Sequence, residues 1–122
     1  MKNASVLVVD DSKDFVFLLS SLLKFHKIEV NSFSNPLEAL EFVKTTNVDL
    51  VLTDYMMDEL DGLSLIEQIK DNKKGVELKT ILLTAKDLEP GELEKLNSLG
   101  CVYLKKPVLP NEIHNKIVSL LG

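Results

Sequence analysis

Five short apolar runs, separated by longer stretches in which apolar residues recur every third or fourth position, leave this chain few folds to choose from. Strands joined through helices run parallel, and a parallel sheet needs helices over both of its faces. The strand candidates are Val6 to Val9, Ile28 to Ser32, Leu50 to Thr53, Thr80 to Thr84 and Cys101 to Leu104. Those around Val8, Val51 and Leu82 are almost unbroken Val, Leu and Ile, as strands buried on both faces are. Ile28-Glu29-Val30-Asn31 alternates apolar with polar, which predicts a strand at the edge of the sheet.

The intervening segments carry helix signals. After Asp11-Ser12, residues Phe15, Leu18, Leu19, Leu22 and Leu23 form one apolar stripe predicted to face the sheet. Asn35-Pro36-Leu37-Glu38 combines an N-cap, a proline at the first helical position and a glutamate able to reach back to the cap, ahead of Leu40 and Val43. Leu63, Ile66 and Ile69 mark a third helix, Leu93 and Leu96 a fourth that stops near Gly100, and Ile113, Ile117 and Leu120 a fifth that opens near Pro110. Right-handed crossovers turn these ten elements into a three-layer, doubly wound α/β sandwich, in which ligands sit outside the carboxyl ends of the strands.

A length of 122 residues suits one domain with a continuous core, taken here as residues 1–122, and no linker, repeat or low-complexity tract divides it. The single Cys101 leaves no internal disulfide and no zinc-ligand spacing, which favours a reducing compartment. The first residues hold too short an apolar run for a signal peptide, and no stretch approaches the ~20 apolar residues that span a bilayer. A cytoplasmic location without membrane attachment is therefore expected. With a formal charge of −5 and its 14 Lys and Arg residues scattered, the chain presents no basic face for direct contact with nucleic acid.

The strand ends gather the chemistry. Asp10 and Asp11 follow the first strand, Asp54 follows the third, Thr84 closes the fourth and Lys106 stands just after the fifth. Three carboxylates at one end of a sheet repel one another unless cations are near. Lys106 supplies one positive charge, and the remainder suits a hard divalent ion such as Mg²⁺, which is held by one or two carboxylates together with water and phosphate oxygens. A carboxylate can attack phosphorus to give an acyl phosphate. Because phosphoryl transfer is mostly positioning and charge stabilisation, Asp11 with a metal, Lys106 and Thr84 could arrange the rest.

Val8-Val9-Asp10-Asp11-Ser12, Leu52-Thr53-Asp54, Asp61-Gly62, Leu83-Thr84-Ala85 and Lys106-Pro107, taken in order over essentially the whole chain, resemble the motif set of the response-regulator receiver family. The resemblance implies a CheY-like single-domain (βα)5 fold with a five-stranded parallel sheet in the flavodoxin-like order 2-1-3-4-5. It implies that Asp54 is the phosphoacceptor, that Asp11 ligates Mg²⁺ directly, with Mn²⁺ as a substitute, that Asp10 contributes mainly through water, and that Met56 adds a backbone carbonyl. By the same resemblance Thr84 binds a phosphoryl oxygen and moves on phosphorylation, Tyr103 rotates between exposed and buried positions, and Lys106 pairs with Asp54 or its phosphoryl group. The implied function is a two-component or phosphorelay switch that catalyses only its own phosphorylation and dephosphorylation. It would be charged by a sensor histidine kinase or phosphotransfer protein and read by a partner at the face of helix 4, strand 5 and helix 5, with a phosphorylation-induced dimer as one outcome.

Plainer roles compete at several positions. Asp10, Asp11 and Ser12 could simply cap the first helix, Thr84 and Tyr103 are strand-favouring residues, and Cys101 reads as a small buried hydrophobe beginning a strand. His26 and His114 read as surface or packing residues, and strand alternation points Lys105 away from the site. The family pattern is broken four residues after Asp54, where Asp58 stands in place of the usual proline and Glu59 follows. Loss of the proline predicts a more mobile entry to the third helix, and the added charge predicts tighter or more Mg²⁺-dependent metal binding together with a changed phosphoryl lifetime. Met56, two residues after Asp54, has an apolar side chain that cannot orient a water for attack on phosphorus, and Lys86 stands two residues after Thr84, so slow self-dephosphorylation is expected. Among other functions, a receiver-like interaction module that is never phosphorylated fits poorly with five filled site positions. A small aspartyl phosphatase would need a cap and an Asp-x-Asp first strand, and a flavin carrier would find its phosphate repelled by Asp10-Asp11.

Overall fold

The computed structural model describes residues 3–122. Its elements follow one another as β1 (Ser5–Val9), α1 (Lys13–Phe25), β2 (Glu29–Phe33), α2 (Pro36–Thr45), β3 (Leu50–Asp54), α3 (Gly62–Asn72), β4 (Lys79–Thr84), α4 (Pro90–Leu99), β5 (Val102–Lys105) and α5 (Pro110–Leu121). All strand pairings are parallel, in the order β2-β1-β3-β4-β5, which places the polar-alternating β2 at an edge as its sequence predicts.

Strand alternation sorts the core into layers. Val6 and Val8 of β1 face Leu19 and Leu23 of α1 and Ile113 and Ile117 of α5. Leu7 and Val9 face the opposite side, against Ala39, Leu40 and Val43 of α2 and Leu65 and Ile69 of α3. A third cluster joins Leu63 and Ile66 of α3 to Leu82 of β4 and Leu96 of α4. The strands that the site depends on are thus fixed from both faces.

The structure corrects several details. Leu18 was expected within the sheet-facing stripe of α1 but is 53% exposed, and Leu93 of α4 also lies open to solvent. Only Leu19 and Leu23 of α1 are fully buried, because a helix lying on a sheet beside α5 covers a narrower line than its apolar periodicity suggests. Cys101 precedes β5 rather than beginning it and is only partly buried. Asn35 Oδ1 accepts the Leu37 N–H at 2.8 Å as an N-cap should. The glutamate that reaches back to its cap is found at α4, where the Glu89 N–H donates to Glu92 Oε1 at 2.8 Å. Among the described residues no helix is long and apolar enough to cross a membrane.

Gly62 shows how tightly the β3–α3 loop is drawn against the sheet. Its N–H donates to the Tyr55 carbonyl at 2.8 Å, and a Cβ placed on it would lie 2.2 Å from the Asp54 carbonyl oxygen. Backbone cannot yield as a flexible side chain can, so Gly62→Ala is expected to destabilise by about 2 kcal/mol. Urea unfolding checks this as a lowered midpoint at unchanged slope.

Candidate functional site

Parallel strands end at the same rim of the sheet, so residues distant in sequence meet there. Asp10 follows β1, Asp54 is itself the last residue of β3, Thr84 closes β4 and Lys106 follows β5. One carboxylate oxygen from each of Asp10, Asp11 and Asp54 lies within 4.8 Å of the others. The structure therefore brings Asp10, Asp11 and Asp54 together, with Lys106 beside them.

Asp10 is buried, and its Oδ1 accepts the Ser12 N–H at 2.9 Å. Ser12 holds the N-cap position of α1 without a side-chain cap bond, and the Asp10 carboxylate braces the turn that leads into the helix without capping it. Asp10 Oδ2 has no hydrogen-bond partner among the described residues, and the Lys106 ammonium stands 4.0 Å away. Burial pushes the Asp10 carboxyl above its ordinary range, while the Ser12 N–H and Lys106 pull it down.

Lys106 Nζ lies 3.0 Å from Asp54 Oδ1. The Tyr55 N–H, which bonds the Leu83 carbonyl at 2.8 Å, is also 3.0 Å from Asp54 Oδ1. One oxygen of Asp54 is thereby held by an ammonium and an amide. Thr84 is buried, and its Oγ1 accepts the Lys86 N–H at 3.1 Å. The Lys106 N–H donates to the Thr84 carbonyl at 2.8 Å, and the Lys106–Pro107 peptide is cis. Lys105 pairs instead with the exposed Asp87, which leaves Lys106 as the lysine of that pair at the site. A cleft of about 380 Å³ lined by Asp10, Ser12, Phe15, Ala85, Lys106, Pro107 and Val108 opens beside the carboxylates.

One ammonium cannot neutralise three carboxylates, and a buried carboxylate oxygen without a partner is costly. The donors are all hard oxygens, Asp11 is exposed, and the arrangement fits Mg²⁺ with open coordination positions toward solvent. The side chain of Met56 is 67% exposed in the β3–α3 loop, where Asp58 and Glu59 are exposed too. Asp61 caps α3, its Oδ1 accepting the Ser64 N–H at 2.8 Å. Tyr103 on β5 is 44% exposed. His26 and His114 pack against each other with ring centroids 4.4 Å apart and ring planes tilted by 38°. Sequence reasoning missed the side chains of Tyr55 and Glu92, which are hydrogen-bonded to each other beside the site across 37 residues of chain. No local spacing signals such a pair.

The family model described as the response regulator receiver domain matches residues 6–118. The chain is 32% identical over 119 residues to the alkaline phosphatase synthesis transcriptional regulatory protein PhoP of Bacillus subtilis (strain 168), a match covering 98% of this chain and 49% of that protein. It is 31% identical over 116 residues to the transcriptional regulatory protein SrrA of Staphylococcus aureus (strain NCTC 8325 / PS 47), covering 95% and 47%. The chain thus spans about half the length of the curated relatives it matches. The receiver domain of the Francisella response regulator 1452 superposes with a TM-score of 0.82 at 30% identity, covering 97% of this chain and 96% of that one. A CheY-like receiver domain protein from Methanospirillum hungatei JF-1 gives 0.86 at 24% identity over 98% and 94%, a likeness of fold.

Proposed function

The chain belongs to the receiver-domain family of two-component response regulators, and from that premise we propose that Asp54 accepts a phosphoryl group and that residues 1–122 work as one receiver unit. The observation that carries this reading is the meeting of three carboxylates within 4.8 Å, with Lys106 3.0 Å from Asp54 Oδ1. An Asp54 carboxylate oxygen attacks phosphorus of a phosphohistidine or small acyl phosphate. The new O–P bond forms as the bond from phosphorus to the donor nitrogen or oxygen breaks, and its electron pair leaves with the donor. Asp10, Asp11, Asp54 and the Met56 carbonyl would hold Mg²⁺, or Mn²⁺ in its place, and when bound the ion offsets charge on the phosphoryl oxygens. Lys106 supplies a fixed cation for the same oxygens, and the Tyr55 N–H keeps Asp54 Oδ1 oriented.

Thr84 Oγ1 then turns from the Lys86 N–H toward a phosphoryl oxygen, and the exposed Tyr103 moves inward, altering the face formed by α4, β5 and α5. A sensor histidine kinase or phosphotransfer protein is the donor this chemistry calls for, a partner protein or second copy reads the altered face, and a cytoplasmic setting suits both. The chemistry is confined to the chain's own phosphorylation and dephosphorylation. Met56 presents no polar group to order an attacking water, which supports a long-lived acyl phosphate. With Mg²⁺ and acetyl phosphate, intact mass is expected to rise by one phosphoryl group, and excess chelator is expected to abolish the rise. No addition with any divalent ion would instead favour an interaction module that is not regulated by phosphorylation.

A further inference from the structure

Next to the carboxylate cluster, side chains from three separate segments form a second polar knot. The Tyr55 hydroxyl, just after β3, donates to the carboxylate of Glu92 in the first turn of α4. Lys86, in the β4–α4 loop, places Nζ 3.1 Å from Glu92 Oε2 and 4.9 Å from the centre of the Tyr55 ring. The other oxygen of Glu92 holds the backbone N–H of Glu89 at 2.8 Å. One carboxylate thus ties a phenol, an ammonium and the N-cap of α4 together.

The knot is wired to the reacting groups through backbone. The N–H of Tyr55 bonds Asp54 Oδ1 at 3.0 Å and its carbonyl receives Gly62 at the start of α3. The N–H of Lys86 bonds Thr84 Oγ1 at 3.1 Å, while the ammonium of the same residue bonds Glu92. Turning Thr84 Oγ1 toward a phosphoryl group on Asp54 gives up the Lys86 N–H and frees that loop to move, yet the Lys86 side chain remains anchored to α4. We infer that Tyr55, Lys86 and Glu92 are positioning residues forming a latch, which holds the first turn of α4 against the phosphoacceptor loop and opposes the charging of Asp54. This rests on the reading of Asp54 as phosphoacceptor.

Tyr55→Phe removes the phenol's hydrogen bond to the carboxylate, and Glu92→Gln removes the charge that strengthens that bond and pairs with Lys86. Both variants are expected to charge from acetyl phosphate at saturating Mg²⁺ about three- to tenfold faster than wild type, the size set by loss of one charge-assisted hydrogen bond at a partly exposed position. Because both loosen the same shared carboxylate, the double variant is expected to gain less than the product of the two single gains. A merely structural knot would lower the melting temperature without raising the rate. Folded variants that charge no faster than a wild type that does charge would overturn the latch. A wild type that takes up no phosphoryl group would sink the phosphoacceptor reading and the latch together.

Discussion

Asp54→Asn is expected to abolish the Mg²⁺-dependent mass gain while leaving the fold intact. The amide has the shape of the carboxylate and keeps an oxygen for the Tyr55 N–H, which lies 3.0 Å from Asp54 Oδ1. What it lacks is a nucleophilic oxygen of sufficient basicity, so the step that forms the O–P bond has no attacking atom. Removing one of three clustered carboxylates also relieves repulsion, so the melting temperature without metal is expected not to fall. Intact mass and a thermal scan on the same sample check both halves. A phosphoryl group appearing on the Asn chain would place the acceptor elsewhere.

Lys106→Met is expected to slow charging by about 10²- to 10³-fold, the range found when a fixed group that stabilises developing charge is deleted from a site. The methionine preserves most of the apolar stem, so packing against the rim is kept. The ammonium lies 3.0 Å from Asp54 Oδ1 and 4.0 Å from Asp10 Oδ2, and its loss leaves both carboxylates without that cation. The consequence for pH has a definite sign. Burial already raises Asp10 above its unfolded value and Lys106 opposes that shift, so the variant raises Asp10 further. A carboxyl whose folded pKa is raised makes the fold more stable as pH falls through that pKa and less stable as pH rises above it. The variant should therefore lose more stability on going from acid to neutral pH than wild type does, and Mg²⁺ should restore more of it. Initial charging rates at saturating Mg²⁺, with thermal scans across pH, test both. A rate within twofold of wild type would remove Lys106 from the chemistry.

The carboxylates, Thr84 and Lys106 could be read from sequence because a parallel sheet leaves no choice about where strand ends go. Once Val6 to Val9 and Leu50 to Thr53 are recognised as buried strands, Asp10 and Asp54 must share a rim. The continuous apolar runs of β1 and β3 come from burial on both faces, and this made them easy to recognise. Leu18 was misjudged because periodicity counts apolar residues, whereas burial depends on how much of a helix its neighbours cover. The knot of Tyr55, Lys86 and Glu92 was invisible because each member, taken locally, is an ordinary loop or first-turn residue. Its meaning arises when the β4–α4 loop folds back toward the end of β3. The glutamate cap that was expected at α2 is found at α4, where Glu92 serves both its own helix and Tyr55.

The order of the site along the chain has a consequence for synthesis. Asp10 and Asp11 emerge from the ribosome early, Asp54 midway, and Lys106 only after all five strands have been made. Ile113 and Ile117, which close the layer over Val6 and Val8, come later still. A nascent chain halted before Lys106 holds carboxylates with neither their ammonium nor the helix that closes their core, and domains generally fold as whole units. Of the ten elements α5 is made last, so the carboxylate rim and the core beneath it are completed only once Ile113 and Ile117 are in place.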